Sequence, residues 1–187
     1  MKIIFLDNDG VICLPNNWGS RFKKKDVENS VYSRFDNFDK KSIKVLNQII
    51  LETNADIVIS SDWRRFATLD ELALYYKSQG IIKFPIGVTS IFDHKKFVDE
   101  KIITDNYVIP SMLSLEIKRS LEIRKYLIDN PEIAKYVVID DLDMSVNACG
   151  KYGLTNFIHI QNTYEGIKKT GLKNKIINYC YFTCFTT

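Results

Sequence analysis

The sequence predicts an α/β fold of the doubly wound class, a parallel sheet of about five strands with helices on both faces. Three observations carry that reading. Short, unbroken apolar runs recur along the chain, stretches of helical period separate them, and the flanking residues are those that cap helices or turn a chain. Parallel strands are joined by helical crossovers and buried on both faces, which is why apolar runs that alternate with helices favour a parallel sheet.

The elements follow in order. Residues 2–6 form an apolar run that empties into Asp7-Asn8-Asp9-Gly10, a strand entering a loop. Residues 39–53 repeat apolar side chains at Ile43, Leu46, Ile49 and Ile50, one face of a helix, with Asp39 placed to cap it. A second strand at 57–59 is followed by Thr68-Leu69-Asp70-Glu71, a capping-box pattern that opens a helix ended by Gly80. Strands are expected at 84–88, 136–139 and 157–160, all buried, with helices at 114–129, closed by Pro131, and at 165–179. No internal repeat, low-complexity tract or Pro/Gly-rich linker marks a boundary.

With 187 residues, 45% hydrophobic and 26% charged, the chain suits one domain over residues 1–187 with one sizeable core. No apolar run reaches the roughly 18–20 residues of a membrane span, and the N-terminus turns acidic too early for a signal peptide, so no membrane role and a cytoplasmic location are expected. Cys13, Cys149, Cys180 and Cys184 form no CxxC pair, and His94 and His159 add no metal-ligand spacing, which argues against zinc. The net charge of +3 permits a polyanionic partner without requiring one.

Chemistry is to be sought beyond the carboxyl ends of the strands, where open α/β sheets bind ligands. There the first strand delivers Asp7 and Asp9, two carboxylates two residues apart, although the same residues also make an ordinary turn. The second strand ends in Ser60-Ser61, where a hydroxyl and a free backbone N–H can hold phosphoryl oxygens, or simply form a turn. Lys118 and Arg119 lie early in the third helix, and the fourth strand ends in Asp140-Asp141, with Asp143 just beyond. Adjacent aspartates at a buried strand end repel one another unless a cation offsets them. Mg²⁺, which takes a few carboxylates together with water and phosphate, suits Asp7, the main-chain carbonyl of Asp9, and Asp140 or Asp141.

An acid pair, a hydroxyl, a helical cation and a second acid pair, in that order, rarely coincide by chance. Through IIFLDNDGVI, ADIVISS, the KRSLEIR helix and YVVIDDLD, the chain resembles the haloacid dehalogenase-like (HAD) superfamily of phosphohydrolases. Within it, RFDNFDKKSIKVLNQII, IVISSDWRR, EIRKYLIDNPEIAKYVVIDDLDM and FIHIQNTYEG resemble the HAD domains that accompany Swiss Army knife RNA-repair proteins. The resemblance implies a Rossmann-like HAD fold and a Mg²⁺-dependent phosphomonoesterase. It implies Asp7 as nucleophile, Asp9 as general acid and base, Ser60 as phosphate-binding hydroxyl, Arg119 or Lys118 as phosphate cation, and Asp140 and Asp141 as metal acids. Two departures stand out: Asp62 lies where another Ser is expected, and Ser120 follows Arg119 where Gly is usual. Trp63 reads as a loop anchor and Arg64 as a clamp on substrate phosphate.

HAD enzymes enclose small substrates beneath inserted caps, and both usual insertion intervals are short here, a flap at 12–38 and an insertion at 89–113. An open site favours a substrate too large to enclose, such as an RNA or DNA end, with a nucleotide or phosphoprotein as the alternative. The flap interleaves Trp18 and Phe22 with Arg21, Lys23, Lys24 and Lys25, a pattern that can track a phosphate backbone and stack on bases, so Trp18 and Lys23 join Ser61 and Arg64 as candidate substrate contacts. A module that binds phosphorylated ends without turnover is the non-enzymatic alternative.

Overall fold

A computed structural model describes residues 1–15, 34–103, 111 and 113–181. Most of the 12–38 flap, including Trp18 and Lys23, lies outside the described residues, as do positions 104–110 and 112 of the insertion and Cys184 in the tail. The five expected strands are present: β1 (Lys2–Leu6), β2 (Asp56–Ile59), β3 (Pro85–Val88), β4 (Lys135–Asp140) and β5 (Phe157–His159). They form one sheet in the order β3-β2-β1-β4-β5, with every pairing parallel. The helices among the described residues are α1 (Lys40–Thr53), α2 (Leu69–Ser78), α3 (His94–Asp99), α4 (Leu115–Asp129), α5 (Val146–Cys149) and α6 (Leu172–Tyr181). None is long and apolar enough to cross a membrane.

Alternation of side chains along each strand divides the core into two layers. Ile4 and Leu6 of β1, Ile57 and Ile59 of β2, and Val137 and Ile139 of β4 pack with Leu46 and Ile49 of α1, Tyr75 and Tyr76 of α2, and Ile176 of α6. On the opposite face Ile3, Phe5, Val58 and Val138 pack with Ile123 of α4. Helices therefore cover both faces, and the continuously apolar sequences of β1, β2 and β4 follow from their central positions. β3 differs from the expected buried strand. It lies at the sheet edge, Ile86 is exposed, and Pro85 opens it, a residue that edge strands tolerate.

The helix caps behave as their residues dictate. Asp39 accepts from the Ser42 N–H at 2.8 Å, and Thr68 and Glu71 form a reciprocal capping box. The interval 165–179, read as one helix, is instead a 3₁₀ turn, Gly166–Lys168, followed by α6. Gly166 and Gly171 take positive φ values of 57° and 88°, which break the helical path. The insertion contributes α3, absent from the sequence reading, whose Phe97 packs with Ile103, Leu113 and Leu121 in a separate small cluster. Cys13, Cys149 and Cys180 are buried and make no disulfide among the described residues.

Gly166 ties the chain after β5 to the loop after β1, for the neighbouring Ile167 N–H donates to the Val11 carbonyl at 2.9 Å. A Cβ on Gly166 would lie 2.3 Å from that carbonyl oxygen, in addition to the strain of positive φ. Gly166→Ala is therefore expected to lower the free energy of unfolding by about 1 kcal/mol or more. Urea denaturation is the check, and an unchanged midpoint would contradict this account of the contact.

Candidate active site

The chain leaves β1, builds the sheet outward through β2 and β3, then crosses back to place β4 on the other side of β1. This reversal opens a crevice at the carboxyl ends of β1 and β4, the place where doubly wound sheets bind ligands. Hydrogen bonds continue the ladder past the strand ends: Asp7 N–H donates to Ile139 and Ser60 N–H to Leu6, each at 3.0 Å. Asp7, Ser60 and Asp140 therefore arrive at one level of the sheet edge. Of the two backbone N–H groups at Ser60-Ser61, that of Ser60 is used in this ladder.

After Asp7 the chain turns tightly about Asn8. Its carbonyl accepts from the N–H groups of Val11, Ile12 and Cys13 at 3.3, 3.0 and 2.8 Å, and its side-chain oxygen accepts from the buried Tyr76 hydroxyl at 2.5 Å. Gly10, at φ 73°, completes the turn; a Cβ there would stand 2.6 Å from Oδ2 of Asp141. The glycine thus serves both the turn and the approach of the loop after β4.

Oxygen atoms of Asp7, Asp140 and Asp141 lie within 4.8 Å of one another. Asp140 is fully buried and Asp7 nearly so, so each resists ionisation. Burial, reinforced by Asp140, holds the Asp7 carboxyl well above its ordinary range, with Arg119 opposing. Burial pushes Asp140 up to about 6 against the pull of Arg119, and burial also raises Asp141. Three crowded hard oxygen donors whose charge one guanidinium offsets only in part are a donor set that Mg²⁺ takes, and Asp7, Asp140 and Asp141 fit it. Asp143 lies outside the cluster, where its carboxylate accepts from the Ser145 N–H.

Arg119 enters from α4 and supplies the opposing charge. Its Nη1 lies 3.0 Å from Asp140 and 3.4 Å from Asp7, and its Nη2 lies 3.4 Å from Asp62. Burial disfavours its charge, but Asp140 and Asp7 outweigh that and keep the guanidinium protonated. Lys118, one residue earlier and half-buried, makes none of these contacts. Ser60 Oγ is buried and has no hydrogen-bond partner among the described residues.

The Asp62–Arg65 turn builds the adjoining wall. Arg64, expected to touch substrate, instead turns inward. It donates to the Ser60 and Ser61 carbonyls, each at 2.6 Å, and pairs with the buried Glu122. Ser61, also expected at the substrate, accepts from the Trp63 N–H at 3.4 Å and caps the turn. Glu122 lies one helical turn after Arg119, 3.8 Å from its Nε, and accepts from the Phe92 N–H at 2.7 Å. Burial raises the Glu122 pKa, with Arg64 opposing. Trp63 is the anchor expected of it, and it does more: its indole N–H donates to Oδ2 of Asp9 at 2.9 Å. The i,i+3 spacing of Arg119 and Glu122 is a signal in the sequence; nothing in it pairs Trp63 with a residue 54 positions away.

The carboxylate cluster couples cation binding to stability. Between about pH 4 and 6 the folded chain keeps a proton on Asp140 that the unfolded chain has released, so without a cation stability falls as pH rises through that window. A divalent cation held by these carboxylates would take the proton's place. Mg²⁺ at a hundred times its dissociation constant is expected to stabilise the fold by about 2.7 kcal/mol near neutral pH. That gain should shrink toward about pH 5, where protons compete. Thermal unfolding with and without MgCl₂, on the parent and on Asp140→Asn, checks this; no rise in the parent at about pH 7.5 would count against a cation site.

A search of the curated proteins and a search of the solved structures each match nothing. A family model described as the HAD domain in Swiss Army Knife RNA repair proteins matches residues 3–169, which takes in all of the sheet but Lys2 and includes Asp7, Asp9, Ser60, Arg119, Asp140 and Asp141. With a five-stranded parallel sheet of HAD-like order and most of its length matched, the chain belongs to this HAD-domain family, a family of hydrolase type.

Proposed function

We propose that the protein is a Mg²⁺-dependent phosphomonoesterase that works through an aspartyl-phosphate on Asp7, with Asp9 as general acid and base, on the terminal phosphate of a nucleic acid. The observation that supports the chemistry most is the meeting of Asp7, Asp140 and Asp141 with Arg119 at the β1/β4 crevice. Mg²⁺, when bound, would be held by those carboxylates and the main-chain carbonyl of Asp9, and would supply positive charge against the phosphate oxygens.

The steps performed by the chain's own groups are these. Asp7 attacks phosphorus in line with the leaving oxygen, which departs with the electron pair of its bond and takes a proton from Asp9. Water then attacks the phosphorus and gives a proton to Asp9, and the bond to Asp7 breaks with its pair on the carboxylate, freeing phosphate. A carboxylate and a phosphate dianion repel, and Arg119 relieves this by turning from Asp7 and Asp140 toward the phosphate oxygens. The Ser60 hydroxyl, buried and without a hydrogen-bond partner among the described residues, donates to another of those oxygens.

The substrate class is supported by separate observations. Both intervals in which a cap would be inserted are short, leaving room for an extended substrate, and the flap sequence from Trp18 to Lys25 mixes basic and aromatic residues. The family's description as belonging to RNA repair proteins points the same way. The absence of a long apolar helix among the described residues fits action in the cytoplasm.

Asp7→Asn is expected to abolish Mg²⁺-dependent phosphate release; full activity on an aryl phosphate would overturn the mechanism. Among substrates, oligonucleotides with a 3′- or 5′-phosphate are expected to outperform free nucleotides and phosphopeptides. A preference for nucleotides would identify a nucleotidase, a preference for phosphopeptides a phosphoprotein phosphatase, and binding of ends without turnover a recognition module. Asp62, half-exposed, competes with phosphate for Arg119. Asp62→Asn should therefore tighten inhibition by inorganic phosphate about two- to fivefold, the scale of one solvent-exposed ion pair. Weaker inhibition would mean that Asp62 supports the phosphate site rather than competing for it.

A further inference from the structure

We propose that Trp63 is a positioning residue for proton transfer: its indole N–H holds Oδ2 of Asp9 as an acceptor and so favours Oδ1 as the oxygen that carries the transferred proton. The inference rests on the reading of Asp9 as general acid and base and adds the device that favours one of its oxygens as the active one.

The geometry is specific. Trp63 Nε1 lies 2.9 Å from Oδ2 of Asp9, an ordinary length for a hydrogen bond to a carboxylate. An indole N–H donates and cannot accept, so the oxygen it touches must present a lone pair. The carbonyl oxygen of a protonated carboxyl is a much better acceptor than its hydroxyl oxygen, so the contact favours a proton on the other oxygen of Asp9. A Tyr or Ser at position 63 would lack this property, since a hydroxyl can donate to an oxygen or accept from a protonated one. Loss of the N–H removes this bias, and the proton is shared more evenly between the two oxygens.

Both ends of the contact are held. On the Asp9 side, Gly10 N–H donates to the Cys13 carbonyl at 2.8 Å and the Asn8 carbonyl gathers three N–H groups, so the backbone beneath the carboxylate is rigid. That leaves side-chain torsion as the freedom to be removed. On the Trp63 side, the indole stacks on Phe35 at 4.2 Å and 8° and on Phe38 at 5.4 Å and 22°, and Tyr75 meets it at 71°. The ring is 5% exposed, and the Asp62–Arg65 turn fixes its backbone. Packing alone needs only a large apolar group in this cage; the direction of the N–H is what a tryptophan adds.

The test compares esters that differ in how much their leaving group needs an acid. An alkyl phosphate expels a strongly basic alkoxide and depends on proton donation, whereas p-nitrophenyl phosphate expels a stable phenolate and hardly does. kcat/KM reports the steps through departure of the leaving group. Trp63→Phe is expected to lower kcat/KM about tenfold for the alkyl ester and less than twofold for the aryl ester, part of the 10²- to 10⁴-fold that acid catalysis contributes. Benzothienylalanine at position 63, of the same ring shape without the N–H, should give the same selective loss and separates the hydrogen bond from the packing. Ile43→Ala, a cavity in the same core, is the control for lost stability and should affect both esters alike.

Equal losses on the two esters, or no loss on the alkyl ester, would overturn the role of Trp63. Asp7→Asn separates this outcome from failure of the underlying mechanism. If it is inactive on both esters while Trp63→Phe shows no selectivity, the aspartyl-phosphate reading stands and only the positioning role falls. Turnover by Asp7→Asn would remove both.

Discussion

Three carboxylates, two of them buried, share one guanidinium at the end of the central strand, and much of the surrounding structure can be understood as managing that charge. Asp7, Asp140 and Asp141 cannot all ionise together in a site this dry without strong positive charge nearby. Arg119 supplies part of it and is held in turn by Asp62 and Glu122. Glu122 is paired with Arg64, whose other bonds go to the carbonyls of Ser60 and Ser61. The network therefore runs from the Asp7 carboxylate into the backbone of the loop after β2. Removing one member of a buried pair such as Arg64–Glu122 would leave an uncompensated charge, at a cost of about 3–5 kcal/mol.

That network also explains why residues of similar type play different parts. Arg64 and Arg119 both carry a guanidinium, but Arg64 faces carbonyl oxygens and the carboxylates of Glu122 and Asp62, while Arg119 faces two of the three acids that would hold a cation. The difference lies in where each backbone leaves the sheet. Arg64 lies within the tight Asp62–Arg65 3₁₀ turn and reaches back to the Ser60 and Ser61 carbonyls, whereas Arg119 lies near the start of the long helix α4, beside Asp7 and Asp140. The same turn brings Trp63 to Asp9 and locks it within an aromatic cage.

Much of the architecture was legible without coordinates. The strands, the caps at Asp39 and Thr68, and the ends of α2 and α4 follow from local rules that act over a few residues. Misreadings occurred where local pattern yields to conformation or position. A helical period ran on through Gly166 and Gly171, whose positive φ values interrupt it, and β3 resembled the other strands but occupies an edge. The same holds for the site: Asp7, Ser60, Arg119 and Asp140 arrive together, but Arg64 and Ser61 are drawn into the loop's own bonding.

The alternation of apolar runs with helical stretches along the sequence determined the fold class, and the order of acid pair, hydroxyl, helical cation and second acid pair pointed to the kind of site, because each of these residues sits at the end of a strand or near the start of a helix that the local pattern already specifies. Which side chains face the crevice, which pair with one another, and which oxygen of Asp9 meets an indole were decided only in three dimensions. Those contacts join residues tens to more than a hundred positions apart, such as Arg119 and Asp7. No local rule reaches that far; packing of the helices on a twisted sheet sets the distances, and the energetic demand of buried charge selects the partners.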